Sequence, residues 1–323
     1  MVAWNIRAGG GERVGAIARQ IARWAPDLVA LSEFRATPPS CALALALAAR
    51  GLSHQLTTAN PREPGTNALL VAARWPLRRI RLGAAPVEPH RWLAAAVDAP
   101  APLVIGAMHV PNRVTGRKYP YLDAVLACAR GWKRGAALLV GDTNSGRRGL
   151  DEEVPAFNAR EEGWIDGLAA CGWLDAFRHL RAEERAYTWY SPNGDNGFRI
   201  DQAFVNAALL ARLKEAAYAW AGPRRGRRDR LSDHAALLID LDGGPDMAPN
   251  QHGGPSHGID QHGGPDMAPK PPTLVAPRPS RGAPRKTPTG SVRSRLRPVQ
   301  RSRRARKSRS AGAHLAHSRP LAE

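Results

Sequence analysis

Short unbroken apolar runs, each ending on an acid or an amide, constrain this chain more than any other feature. Ala136-Ala137-Leu138-Leu139-Val140 leads into Gly141-Asp142-Thr143-Asn144, Val2-Ala3-Trp4 ends on Asn5, and Leu28-Val29-Ala30-Leu31-Ser32 ends on Glu33. Runs of about four to eight apolar residues between turn signals are too short for a buried helix and read as strands covered on both faces. Two further stretches repeat the device: Arg199-Ile200-Asp201 inside a strand predicted over 198–205, and Asp233-His234 opening one over 235–241. Residues two apart on a strand face the same side, so Asp142 and Asn144 are expected to point together. A carboxylate at the edge of a core is costly without a partner. If these strand ends meet, three or four carboxylates, two amides and one imidazole gather. That inventory suits a divalent metal and a hydrolytic water.

Between these runs, helical spacing appears over 13–24, where Val14, Ile17, Ile21 and Trp24 share a face and Ala25-Pro26 stops the pattern. Further helices are predicted over 41–50, 121–132 and 161–171. Strands are predicted over 53–58, 67–73, 77–82, 92–98, 103–109, 186–190 and 214–220, separated by turn residues such as Asn60-Pro61 and Trp75-Pro76. Trp173-Leu174-Asp175-Ala176-Phe177 follows the helix over 161–171. Strands mixed with helices predict two sheets covered by helices.

The pattern breaks at Asp242-Gly243. Residues 243–269 hold an imperfect repeat, with Gly-Gly-Pro-Asp-Met-Ala-Pro at 243–249 and 263–269 and Gln-His-Gly-Gly-Pro at 251–255 and 261–265. Two copies are too few for a solenoid, so this is a Gly/Pro/His linker. From Lys270, Pro, Arg and Ser dominate without apolar period, which predicts a disordered tail. Residues 270–323 carry 15 Lys plus Arg and one acid, whereas residues 1–242 carry 32 basic and 24 acidic residues. The tail therefore supplies most of the net charge of +19, and a polyanionic partner is expected. The three widely spaced cysteines, Cys41, Cys128 and Cys171, predict core thiols in a reducing compartment such as the cytoplasm. No apolar run reaches the length of a membrane span, no leader is expected at the strand-like N-terminus, and a monomer is expected.

Taken in series, Trp4-Asn5, Leu31-Ser32-Glu33, Gly141-Asp142-Thr143-Asn144, Arg199-Ile200-Asp201 and Ser232-Asp233-His234 resemble the endonuclease/exonuclease/phosphatase superfamily over about residues 1–242. The resemblance implies an α/β fold, a four-layered sandwich with two central mixed β-sheets flanked by helices and the site at one edge of the sheets. It implies that Glu33 and Asn5 hold Mg²⁺ (or Mn²⁺), with Asp233 in the outer metal shell. It further implies that Asp142 positions and activates the attacking water, that Asn144 donates to the scissile phosphate, and that Asp201 orients His234. Phosphodiester attack needs charge neutralisation and a positioned base, and both Asp142 and His234 are candidates for that base.

The superfamily also cleaves sphingolipids and inositol phosphates, so a sphingomyelinase- or inositol-phosphatase-like activity is the alternative to a nuclease. Two features favour DNA. Tyr187-Thr188-Trp189-Tyr190 followed by Phe198-Arg199-Ile200-Asp201 resembles the exonuclease III and abasic-site endonuclease branch, where three apolar residues wall the pocket for a flipped-out sugar. Trp189, Phe198 and Ile200 match those positions. Arg224, Arg225, Arg227, Arg228 and Arg230 crowd the approach to Asp233-His234, so Arg228 and Arg199 are expected to contact substrate. His109-Val110-Pro111-Asn112 resembles the family's Tyr-Val-Pro-Asn: Asn112 is expected on the phosphate, and His109 replaces the tyrosine, as in DNase I-like and sphingomyelinase-like members. The usual Gln-Glu-Thr-Lys is Ser32-Glu33-Phe34-Arg35 here. Leu-Asp-Ala-Phe-Arg at 174–178 also looks familial, with Asp175 and Arg178 predicted as an ion pair or cap.

The tail carries its own expectation. Arg293 to Arg309 would bind phosphates without sequence preference, and without interleaved aromatics no stacking on single strands is expected. Affinity for duplex DNA should fall about tenfold or more between low and moderate salt. Neutralising Arg303, Arg304, Arg306 and Lys307 to alanine should flatten that fall; a salt-insensitive affinity in a filter-binding titration would remove the tail from DNA binding.

Overall fold

Both faces of the apolar runs find partners. In the computed structural model the described residues are 1–132, 134–221 and 230–243. In chain order the first strands are β1 (Val2–Asn5), β2 (Leu28–Phe34), β3 (His54–Thr57), β4 (Ala68–Ala73) and β5 (Leu77–Arg79). Then come β6 (Trp92–Val97), β7 (Leu103–His109), β8 (Ala137–Asp142), β9 (Trp173–Asp175) and β10 (Trp189–Tyr190). The last are β11 (Gly197–Phe198), β12 (Asp201–Asn206), β13 (Leu213–Ala219) and β14 (Ala236–Leu241). The helices are α1 (Val14–Trp24), α2 (Pro38–Ala48), α3 (Lys118–Gly131), α4 (Ala159–Ala170), α5 (Ala176–Leu180) and α6 (Ala207–Leu210). One six-stranded sheet runs β13-β14-β1-β2-β4-β3, the other β5-β6-β7-β8-β12-β9. Each is mixed: β1 pairs parallel with β2 and antiparallel with β14, and β8 pairs parallel with β7 and antiparallel with β12.

Strand alternation sorts the side chains into layers. Ala3, Leu28 and Ala30 of the first sheet share one buried cluster with Leu93, Ala95, Ile105, Leu138 and Val140 of the second. The alternate residues Val2, Trp4, Val29 and Leu31 pack on Ile17 and Ile21 of α1 and Leu43 and Leu47 of α2. On the far side, Met108, Leu139 and Phe204 meet Tyr121, Leu122 and Val125 of α3 and Trp164 and Leu168 of α4. The four-layered sandwich follows. Each fully buried Leu, Ile or Val contributes about 1.5–3 kcal/mol, so covering these runs on both faces is a large part of what holds the layers together.

Several local expectations change. The strand predicted over 198–205 is split into β11 and β12, because Arg199 N donates to Asp151 O at 2.8 Å and Ile200 N to Thr188 Oγ1 at 3.0 Å rather than to a ladder. β5 stops at Arg79, three residues short of the predicted end at 82. Asp175 ends β9 and caps α5, its Oδ1 accepting from Phe177 N at 3.0 Å and Arg178 N at 3.2 Å. All three cysteines are free, but Cys41 is exposed on α2, and only Cys128 is a fully buried thiol, pushed up to about 11 by burial. Among the described residues no helix is long and apolar enough to cross a membrane. The linker from residue 244, the basic tail, and Arg224, Arg225, Arg227 and Arg228 lie outside the described residues.

The glycine of Gly141-Asp142-Thr143-Asn144 has a steric cause. Its φ is 142°, and a Cβ there would lie 1.9 Å from the Met108 carbonyl oxygen on the adjoining strand. Gly141→Ala must therefore break the β7–β8 pairing or twist away. It should cost roughly 3 kcal/mol or more, read as a lowered urea midpoint.

Candidate active site

Strand register builds one half of the site. In β7, β8 and β12, His109 lies beside Asp142, and Asp142 beside Asp201. Laterally paired residues share a face, so the three side chains stand in a row. The first sheet supplies the other half. Asn5 ends β1 beside Ser32 of β2, and a register shift between Ser32 and Phe34 puts Glu33 on a bulge at φ 59°. A bulge re-aims a side chain, and a non-glycine residue at positive φ near a site stores about 1–3 kcal/mol of strain. Arg7 to Gly10 are all left-handed and wrap this residue, with Ala8 N donating to Glu33 Oε2 at 2.6 Å. Ser232 Oγ donates to Asn5 O at 2.6 Å, and Trp4 Nε1 donates to His234 O at 2.9 Å. These bonds bring Asp233-His234 to the end of β1.

The resulting cleft of about 240 Å³ is lined by Glu33, His109, Asn112, Asp142, Asn144, Trp189, Ile200, Asp233 and His234, with Asn67 and Arg91. Asp142 Oδ2 is its focus: Asn5 Nδ2 donates to it at 3.0 Å, His109 Nε2 lies at 3.6 Å and His234 Nε2 at 4.0 Å. Asp201 Oδ2 holds His234 Nδ1 at 2.8 Å. Asn144 does not continue the pleat as expected. Its φ is 46°, its amide N–H donates to Asp142 Oδ1 at 2.9 Å, and its Nδ2 donates to Val110 O at 2.8 Å. The side chain thus reaches the cleft through a turn that its own aspartate neighbour closes.

Burial pushes the Asp142 carboxyl up to about 7, with Asp201 adding to the rise and His234 opposing it. Burial works against the His234 imidazolium, but Asp201 outweighs it and lifts this group to about 10. At His109, burial, Arg91 and His234 all act downward and hold it well below the usual imidazole range. The surroundings thus push the two imidazoles in opposite directions, toward the neutral form at His109 and toward the imidazolium at His234.

Asp142, Asp201 and His234 bring ligand atoms within 4.8 Å of one another. Asp201 and His234 are committed to each other, however, which leaves Glu33, Asp142 and Asp233 as the other carboxylates lining the cleft, with the buried Asn5 amide bonded to the first two. Oxygen donors of this kind fit a hard divalent cation such as magnesium.

Beside the cleft, and sharing Asn112, Asn144, Trp189 and Ile200 with it, lies a slot of about 250 Å³. Trp189, Phe198 and Ile200 all line it, Trp189 and Phe198 having ring centroids 5.9 Å apart. Thr188 ties slot to cleft. Its hydroxyl accepts from Ile200 N and Asp201 N, its amide donates to Phe198 O, and its carbonyl accepts from Ala235 N at 2.8 Å. Sequence reading missed four slot residues, Arg113, Lys118, Ala156 and Phe157, two of which bear on the slot most. Phe157 sits in a polar loop with no periodicity to mark it. Lys118, buried at the start of α3, pairs with Glu161 and donates to Asn144 O.

Arg199 is not where it was expected. The guanidinium is fully buried, bonding Asp151 at 2.7 and 3.0 Å, Asp175 at 2.6 Å and Tyr218 Oη at 3.2 Å, and Arg199 lines neither the cleft nor the slot. Arg178 pairs with Asp151 rather than with Asp175. Arg228 lies outside the described residues; Arg230 is described and exposed.

A profile of the Endonuclease/Exonuclease/phosphatase family matches residues 2–234. Exodeoxyribonucleases from two strains of Streptococcus pneumoniae are 25% identical over 124 residues, covering 34% of this chain and 42% of theirs. The chain thus spans less than half the length of the curated relatives it matches. A 3'-5' exonuclease from Neisseria meningitidis superposes with a TM-score of 0.62 at 22% identity, over 75% of this chain and 98% of that one. An AP endonuclease from Archaeoglobus fulgidus superposes with a TM-score of 0.61 at 18% identity, with the same coverage. At these identities the structural likeness is one of fold.

The buried charges next to the slot set an acid limit on stability. Burial alone would raise Asp151 and Glu161, but Arg199 and Arg178 for the first, and Arg113 and Lys118 for the second, hold both below the usual carboxylate range. Depressed groups contribute stability that is complete above about pH 4 and lost as pH falls through their lowered values. Asp151→Asn leaves Arg199 and Arg178 short of a carboxylate. It should cost about 3–5 kcal/mol at neutral pH, and its stability should fall less steeply than wild type in urea titrations below about pH 4.

Proposed function

Because the chain belongs to the endonuclease/exonuclease/phosphatase family, we propose that it is a divalent-metal-dependent phosphodiesterase that cleaves DNA in the manner of exonuclease III-like nucleases. One observation carries this reading: a single buried carboxylate oxygen, Asp142 Oδ2, faced by Asn5, His109 and His234 at the floor of an open cleft. A second supports the substrate class. The slot of about 250 Å³, with Trp189, Phe198 and Ile200 on its walls and Arg113 and Lys118 beside them, lies against that cleft. A base-free sugar fits such a slot and unstacks at little cost. The names of the relatives accord with DNA: one solved structure is a 3' phosphatase from Neisseria bound to product DNA hairpin.

In this reading Glu33 and Asn5 hold Mg²⁺ or Mn²⁺ with Asp233 behind them, and the ion, when bound, neutralises phosphate charge. The chain's own groups do the rest. Asp201 at 2.8 Å favours the imidazolium form of His234, and an imidazolium donates rather than accepts. Asp142 is then the group that orients water and takes its proton. His109 Nε2 and His234 Nε2 flank Asp142 Oδ2 at 3.6 and 4.0 Å, which places two imidazoles beside the group that takes the proton. Asn144 and Asn112 supply further donors at the border between cleft and slot. The three free cysteines accord with a reducing compartment.

The test offers purified protein and magnesium an abasic duplex, an intact duplex, a single strand, a sphingolipid and an inositol phosphate. DNA is expected to be cut and the lipid left intact, with chelator abolishing activity. Asp142→Ala should lower kcat by roughly 100-fold or more, and Glu33→Ala should raise the magnesium concentration needed. Cleavage of the lipid or inositol ester without DNA would replace this reading with the sphingomyelinase- or inositol-phosphatase-like one; activity surviving both substitutions would displace the site.

A further inference from the structure

The slot has a wall that no sequence motif marks. Phe157 reaches it from the loop between β8 and α4, half-buried, its ring edge-on to Phe198 with centroids 5.7 Å apart. The loop is held by one buried acid. Glu152 Oε2 accepts from both Ala156 N and Phe157 N at 2.6 Å, while its Oε1 accepts from Gly149 N at 2.9 Å. The same residue forms a bridge with Phe198, and the next one clamps the slot strand again, with Glu153 N donating to Gly197 O at 2.9 Å and Gly197 N to Glu153 Oε2 at 2.7 Å. Behind the ring sits Gly146, where a Cβ would come within 2.5 Å of Phe157 Cε2. A carboxylate taken out of water to fix two consecutive amides, and a glycine that leaves room for the ring, both serve one result: Phe157 is held against Phe198 in the slot that Trp189 and Ile200 also line.

We propose that Phe157, positioned by Glu152, is the specificity-determining outer wall of the slot, admitting a base-free sugar-phosphate unit and excluding a nucleotide that still carries its base. The inference rests on the reading of the chain as a DNA phosphodiesterase. A base on that unit would meet the Phe157 ring, and a backbone tied down by Glu152 turns that overlap into a barrier rather than an adjustment. Trp189 and Ile200, by contrast, are fixed through Thr188 to the strands that carry Asp201 and His234. They set where the sugar sits; Phe157 sets how large the unit is.

The experiment compares kcat/KM on two magnesium-containing assays with the same sequence: a duplex with a tetrahydrofuran residue at one position, and a duplex with a mismatched nucleotide there. Wild type should prefer the furan duplex. Phe157→Ala should cut that preference by about tenfold or more, through faster cleavage of the base-bearing duplex, with the folded state checked by circular dichroism. Phe157→Trp should move the preference the other way. Glu152→Gln should act in the direction of Phe157→Ala and chiefly through KM, as a positioning residue does. A ratio that stays within about twofold in Phe157→Ala, or a wild type that cuts both duplexes equally, overturns the role of Phe157 while leaving the nuclease reading intact. A wild type that cuts neither duplex, nor any other DNA, overturns the nuclease reading itself.

Discussion

The site rests on the lateral pairing of Asp142 with Asp201 across β8 and β12. Two carboxylates placed directly opposite on neighbouring strands repel, and the interior dielectric strengthens the repulsion. The fold answers it asymmetrically. Asp201 receives a histidine at 2.8 Å, whereas Asp142 receives an amide, two more distant imidazole nitrogens and burial. One carboxylate becomes the fixed counter-charge of an imidazolium; the other is left close to the balance point between acid and base. Environments that push two like groups apart in this way assign their chemical roles.

The strands were legible because their chemistry is redundant. A run such as Ala137 to Val140 has no polar residue to expose, so only burial on both faces satisfies it, and the two-sheet sandwich follows from having several such runs. The residues at their ends were legible for the same reason: Asn5, Glu33, Asp142 and Asp201 stand where a polar side chain has no structural excuse. Trp189, Phe198 and Ile200 were found through a resemblance, and they do line one slot.

What escaped reading depends on partners distant in sequence. Arg199 adjoins Asp201 in the chain, but its charge is consumed by Asp151 and Asp175, far away in the numbering and unannounced by any period. Those bonds also break the predicted strand, because the backbone amides of Arg199 and Ile200 are spent on Asp151 and Thr188. Asn144 was expected on a continuing pleat, and the turn closed by Asp142 gave it a left-handed backbone instead. Lys118, Glu152 and Glu161 look in sequence like ordinary solvated charges; each is buried because the 144–161 region folds over the slot and needs its amides and carbonyls satisfied.

Thr188 has a consequence for how such a protein can change over generations. One small hydroxyl and its own peptide group bind the backbones of Phe198, Ile200, Asp201 and Ala235. Any drift that reshapes the inner side of the slot must drag the proton-handling pair with it, and selection will reject most such variants whatever their merit for a new ligand. Within the loop after β8, the amides of Ala156 and Phe157 bond Glu152 instead of Asp201 or His234. Diversification should therefore enter from that side, with the inner side inherited unchanged.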